Sequence, residues 1–113
     1  MTTKLIMTKD INGNTVYGLR QSDAMLSGKL ASGVAKTVTV PIGMNVGIAA
    51  FSFEPGSSIW IAINNGNAVS PTGDPLATNS ELNPSVREVN GGDIISLITS
   101  DSTADFSVSF YER

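Results

Sequence analysis

The sequence predicts an all-β chain: a single β-sandwich of jelly-roll or Greek-key type with an N-terminal hairpin or arm. Three observations predict it. From position 37 onward, short runs of β-branched and aromatic residues recur between Gly, Pro and Asn turns. The last run alternates strictly, Ala104-Asp105-Phe106-Ser107-Val108-Ser109-Phe110-Tyr111, which suits a strand with one buried face. No crossover helices of the kind a parallel α/β fold needs are found. At 113 residues, 41% hydrophobic and 15% charged, the chain fits one packed domain spanning 1–113, with residues 1–35 as an arm or hairpin region and 36–113 as the sandwich core. With no cysteine, disulfides are excluded as the source of stability.

The elements follow in order. Leu5-Ile6-Met7 is a short apolar run, and Asn12-Gly13-Asn14 before Thr15-Val16-Tyr17-Gly18-Leu19 signals a hairpin. Residues 21–30 are open to one helical turn or a short strand, since Gly28 and Gly33 disfavour a long helix. Thr37-Val38-Thr39-Val40 is a half-buried strand with both valines inward, stopped by Pro41, which cannot donate to a ladder. After a turn at 42–45, residues 46–54 form a long strand. Its inward set begins as Val46, Ile48 and Ala50 and switches to Phe51 and Phe53, which predicts a β-bulge near Gly47 or Ala49-Ala50.

Glu54-Pro55-Gly56-Ser57 is a turn, with Pro presetting φ and Gly admitting a positive one. Ile59, Ile61 and Ile63 share one face of the next strand, and Trp60 and Ala62 share the other, so it is central or covered on both sides. Residues 64–86 are irregular and longer than ordinary connections, which suggests a functional or partner-ordered loop. Ser85-Val86-Arg87-Glu88-Val89 reads as a short strand, Asn90-Gly91-Gly92-Asp93 as a tight turn and Ile94-Ile95-Ser96-Leu97-Ile98 as a core strand. The final strand puts Phe106, Val108 and Phe110 inward and Ser107, Ser109 and Tyr111 outward.

The chemistry-bearing residues exclude more than they propose. No His and no Cys are present, so a Ser-His-Asp triad, a nucleophilic thiol and soft metal sites all drop out. P-loop, dinucleotide, nucleophile-elbow and zincin motifs are also lacking. Glu54, Glu81, Glu88, Asp93, Asp101 and Asp105 lie at or beside turns and read as solvated turn residues, and residues 101–105 lack the acid spacing of a calcium loop. The expectation is no catalytic residue, no metal and no cofactor. Ten acidic against seven basic residues, net −3, with the basic ones thinly spread, argue against nucleic acid and membrane surfaces as partners. The first eight residues hold too short an apolar stretch for a signal peptide, so synthesis and use in a cytoplasm are expected.

Several pieces occur in a recognisable order: the Thr-Val-Thr-Val-Pro strand and its Gly turn at 37–43, the Phe-containing strand and turn at 51–56, and the Trp strand at 59–63. Ser80-Glu81-Leu82-Asn83-Pro84 followed by Arg87, an Ile-Ser-Leu-Ile strand at 95–98 and Phe110-Tyr111 complete the series. Over residues 30 to 112 the chain resembles a family of small tailed-phage virion proteins, head decoration or cement proteins among them. No role carries over to residues 1–29.

The resemblance implies a virion component made in the host bacterial cytoplasm, without placing it in head or tail; the leading expectation is a non-enzymatic structural protein on the capsid surface, binding the major capsid protein and associating with itself, as a trimer in preference to a dimer by analogy with the threefold positions of shells. The alternative is a tail, spike or head-fibre module that binds host-surface glycan, with Trp60, Tyr111, Tyr17 and Asn64-Asn65-Gly66-Asn67 as the platform. The residues expected at a partner interface are Leu5, Ile6, Met7, Trp60, Leu82, Asn83, Pro84, Arg87 and Tyr111. Leu5-Ile6-Met7 suits either addition to a neighbouring molecule or pairing within the chain's own sheet.

Overall fold

Alternating apolar positions produce strands, and the strands here need a second apolar face to cover the first. The computed structural model describes residues 3–5, 11–12, 20–72 and 77–113. Among these it has eight strands and no helix: β1 (Met25–Ala31), β2 (Lys36–Thr39), β3 (Val46–Phe53), β4 (Ile59–Ile63), β5 (Glu81–Leu82), β6 (Val86–Asn90), β7 (Ile94–Thr99) and β8 (Thr103–Glu112). Two antiparallel sheets, ordered β1-β8-β3-β6 and β2-β7-β4-β5, pack into a sandwich. Strands pair first with last throughout: β1 with β8, β2 with β7, β3 with β6 and β4 with β5. That nesting is one long hairpin rolled on itself, the jelly-roll winding.

The core lies between the sheets. Leu30, Ala49, Phe51, Val89, Ala104, Phe106, Val108 and Phe110 come from the first sheet, and Val40, Ile59, Ile61, Ile95 and Leu97 from or beside the second. The turns are those the residues dictate. Ser57 N–H donates to the Glu54 carbonyl at 3.1 Å with Gly56 at φ 79°, and Asp93 N–H donates to the Asn90 carbonyl at 3.1 Å. At Gly91 the reason for glycine is steric. A Cβ there would run into the carbonyls of Pro41, Ile42 and Met44, so the β6–β7 turn can lie against the β2–β3 turn only without a side chain.

Two expectations are corrected. The sandwich begins at Met25, inside the zone read as arm or hairpin, and of the two readings left open for 21–30 the strand is the one found: β1 pairs with β8 from Met25↔Ser109 to Ala31↔Thr103. Its residues are exposed except Leu30, which erased the alternation that would have announced a strand. β3 has no bulge and no change of face, for its registers with β6 and β8 run unbroken. Its inward residues are Gly47, Ala49 and Phe51, while Val46, Ile48 and Ala50 are the half-buried outer set. Gly47 is small because the backbone of Tyr111 approaches it closely. With large residues outside and small ones inside, the pattern of side-chain size misreports which face is buried.

The proposed hairpin at 12–19 falls mostly outside the described residues, as do Ile6 and Met7. The flanking pieces are anchored. Leu5 N–H donates to the Glu112 carbonyl at 2.7 Å and Glu112 N–H donates to the Thr3 carbonyl at 2.8 Å, which sets residues 3–5 alongside the end of β8. Thr3 also donates its N–H and hydroxyl to Asp23 Oδ1 at 2.8 and 2.9 Å, and these bonds, the hydroxyl first, hold the Asp23 carboxyl below its ordinary pKa.

Candidate interaction surface

The residues expected to meet a partner fall into two groups, one along the β5–β6 margin of the sandwich and one at the end of β8. At the margin, Trp60 of β4 lies directly opposite Leu82 of β5, so both side chains share the outer face of the second sheet. Trp60 is half-buried in a small cluster with Ala35, Ala62, Ala68 and Ile98, whereas Leu82 is 49% exposed. The chain then turns through Asn83, Pro84 and Ser85 into β6, where Val86 is 44% exposed on the outer face of the first sheet. Pro84 is buried.

Arg87 and Glu81 occupy the inward parity of the two edge strands, opposite Ala49 and Ile61. They meet across the open side of the sandwich. Arg87 Nε and Nη2 donate to Glu81 Oε1 and Oε2 at 2.8 and 2.6 Å, a two-point ion pair that links the two edge strands. The guanidinium hydrogen bond is the main reason that the Glu81 carboxyl lies below its ordinary pKa. The sign follows: the pair adds stability above the unfolded glutamate pKa and loses it as pH falls through the lowered folded value. Glu81→Gln is therefore expected to leave stability at pH 7 little changed, by about 1–4 °C in Tm because both groups are half in solvent. It is also expected to flatten the acid side of the Tm–pH profile; thermal melts from neutral pH downward check this, and an unchanged acid slope contradicts it.

Asn83 is committed inside the chain. At φ 46° its own carbonyl is turned away, and its side-chain Oδ1 accepts from Ile59 N–H at 2.8 Å in place of that carbonyl, while Asn83 N–H donates to the Ile59 carbonyl at 2.8 Å. Its Nδ2 donates to the Ser57 carbonyl at 2.9 Å. Asn64 does the same at the other end of β4: φ is 52°, Oδ1 accepts from Ile94 N–H and Asn64 N–H donates to the Ile94 carbonyl, both at 2.8 Å. Two asparagines thus extend the ladder of β4 by one pair at each end with side-chain atoms.

The second group is also tied to its own sheet. Tyr111 is buried on the outer face of the first sheet, and its hydroxyl donates to the Arg20 carbonyl at 2.7 Å. Leu5 pairs with Glu112, which is the in-chain reading of the N-terminal run. Trp60 and Tyr111 stand on the outer faces of different sheets, so they do not form the glycan platform read from the sequence; Tyr17 lies outside the described residues. What remains of that idea is a shallow cleft lined by Thr37, Asn64, Asn65, Gly66, Asn67 and Ile94.

The long β4–β5 connection explains why β4 is covered on both sides. Ala68 N–H donates to Ser96 Oγ at 2.8 Å and Val69 N–H to Ser80 Oγ at 3.0 Å, which lays the loop on the outer face of the second sheet. Asn79 Nδ2 ties it down by donating to the carbonyls of Asn65 and Asn67, each at 2.8 Å. The described part of this loop is ordered by its own sheet.

Charge is mostly neutralised in place. Lys4 pairs with Glu112, Lys29 with Asp105, Arg87 with Glu81 and Arg113 with Glu88, and Lys36 Nζ donates to the Lys29 carbonyl. Near the start of β8, Asp105 N–H donates to Glu54 Oε1 at 3.3 Å while Lys29 is bound to the Asp105 carboxylate at 2.7 Å. Among the described residues, no three His, Cys, Asp or Glu side chains gather in a group fit to hold a metal ion. The chain matches no protein-family model, no curated protein and no solved structure.

Sequence reasoning missed Met25, Leu26 and Val86, three half-exposed apolar residues on edge strands. Met25-Leu26 follows an irregular segment and Val86 a proline turn, so neither stood in an alternating frame that marked it.

Proposed function

We propose that this chain is a non-enzymatic structural protein of a tailed-phage virion, a decoration or cement protein that binds the major capsid protein on the outside of the head and stabilises the shell. The observation that carries the reading is the β5–β6 margin. Leu82 offers apolar area there on the outer face of the second sheet, beside the half-buried Trp60, while the neighbouring Arg87 is already paired within the chain, so docking does not strand an unpaired charge. A contact function needs about 800 Å² per partner and no reacting group. Repetition over a shell raises the strength of such contacts through avidity. The ordered motifs at 37–43, 51–56, 80–87, 95–98 and 110–111 support the phage assignment by resemblance.

The second reading, a tail, spike or head-fibre module that binds glycan, rests on the amide-lined cleft beside Ile94. Copy number separates the two. In purified particles, quantitative mass spectrometry against the major capsid protein is expected to find hundreds of copies of this chain. About a dozen moves it to a vertex or tail, and none overturns the virion assignment.

A further inference from the structure

Asparagine followed by glycine is the pair most open to deamidation, because no side chain on the second residue shields its backbone nitrogen from the asparagine amide carbon. The chain has three such pairs, Asn12-Gly13, Asn65-Gly66 and Asn90-Gly91. The first runs beyond the described residues. The other two sit in opposite surroundings.

Asn90 is locked. It ends β6 opposite Val46, its N–H donates to Asp93 Oδ2 at 2.8 Å and its carbonyl accepts from Asp93 N–H at 3.1 Å. Gly91 is wedged against the carbonyls of Pro41, Ile42 and Met44, and Gly92 N–H donates to the Val40 carbonyl at 3.1 Å. The Gly91 nitrogen cannot swing toward the Asn90 side chain without breaking the turn.

Asn65 is open. It and Gly66 are exposed and belong to no strand, and a Cβ built at Gly66 meets nothing within 4 Å. Neither the Asn65 side-chain amide nor the Gly66 N–H has a partner among the described residues. The tie on that peptide is Asn79 Nδ2, which donates to the Asn65 carbonyl at 2.8 Å. This donation draws electron density from the Gly66 nitrogen and so favours loss of its proton.

We infer that Asn65 is a self-modification site with water as co-reactant: in the folded chain it deamidates through a succinimide to aspartate and isoaspartate. Hydroxide takes the Gly66 N–H proton, the nitrogen bonds to Asn65 Cγ, and the Cγ–Nδ2 bond breaks to release ammonia. Water then opens the ring at either carbonyl, so one water is consumed, one ammonia leaves and nothing is oxidised or reduced. The cleft lined by Thr37, Asn64, Asn65, Gly66, Asn67 and Ile94 holds no charged residue, and the conversion puts a carboxylate into it on a chain already at net −3. Isoaspartate also inserts one carbon into the main chain within the stretch that Asn79 clasps by the carbonyls of Asn65 and Asn67, which loosens the loop. The result is a slow, one-way switch of this loop from neutral and tied down to acidic and loosened. It stands on the loop alone and does not depend on the virion reading.

The full chain, kept folded in mildly alkaline buffer and sampled over days, tests this by peptide mapping, which reads the mass gained at each asparagine as NH₂ becomes OH. Asn65 is expected to convert about tenfold or more faster than Asn90, which must first break two hydrogen bonds. In concentrated urea, where the turn at 90–93 is gone, the two are expected to convert at similar rates. In the isolated isoaspartyl form, the amide hydrogens of Ala68 and Val69, held by Ser96 and Ser80 in the parent, are expected to exchange faster. An Asn65 that stays intact in the folded chain, an Asn90 that keeps pace with it, or a rate gap that urea leaves unchanged overturns the site. Unchanged exchange at Ala68 and Val69 overturns the switch.

Discussion

Phe110→Ala is expected to lower the unfolding free energy by about 3–5 kcal/mol. Phe110 is fully buried toward the C-terminal end of β8, the strand that joins β1 to β3 in the first sheet. Its neighbours on either side are Ala24, just before β1, whose carbonyl accepts from Phe110 N–H, and Ala49, its register partner on β3. Neither alanine can extend into the space a lost ring leaves, so the cavity persists instead of collapsing, and the loss belongs at the high end of its range. Urea unfolding at low protein concentration, where self-association does not contribute, measures it; a loss below about 1 kcal/mol contradicts the packing described here.

The second large effect comes from a residue that the sequence marks for a different purpose. Asn83→Ala is expected to destabilise the fold by about 2–4 kcal/mol, from a partly buried Ile59 N–H left without an acceptor and from alanine held at positive φ. Asn83→Gly separates the two causes, since glycine accepts the φ but supplies no oxygen, and it is expected to recover about 1 kcal/mol of the loss. If both variants unfold at the same urea concentration as the parent, Asn83 is not closing the β4 ladder and its place on an external interface regains force.

These two residues illustrate what was legible and why. Phe110 was readable because β8 is amphipathic with period two: its inward side is large and apolar while Asp105, Ser107 and Ser109 face out, so burial and side-chain size point the same way. The same agreement exposed the turns at 54–57 and 90–93 and the core strand β7. β3 broke it. There close backbone approach demanded small residues inside, and Val46 and Ile48, half-covered outside, imitated a core face. β1 broke it in another way, as an edge strand with one buried side chain out of seven.

The candidate surface was legible in part. Trp60 and Leu82 share a face because they are register partners, and the short span from Leu82 to Arg87 keeps their strands adjacent. What a side chain does at that margin was not legible. Asn83 and Arg87 look like ready-made contacts in one dimension, yet both are consumed by partners 24 and 6 residues away that only the folded chain brings near. Leu82 is what this leaves on the Trp60 side of the margin, and for that reason it carries the proposed contact.

That argument is tested most directly by adding the purified chain to phage heads that lack it and measuring how much sediments with them as its concentration rises. The account predicts saturable uptake at a fixed stoichiometry to the major capsid protein, with Leu82→Asp folded but weakened about tenfold or more. No uptake above background, or uptake that Leu82→Asp leaves intact, contradicts it.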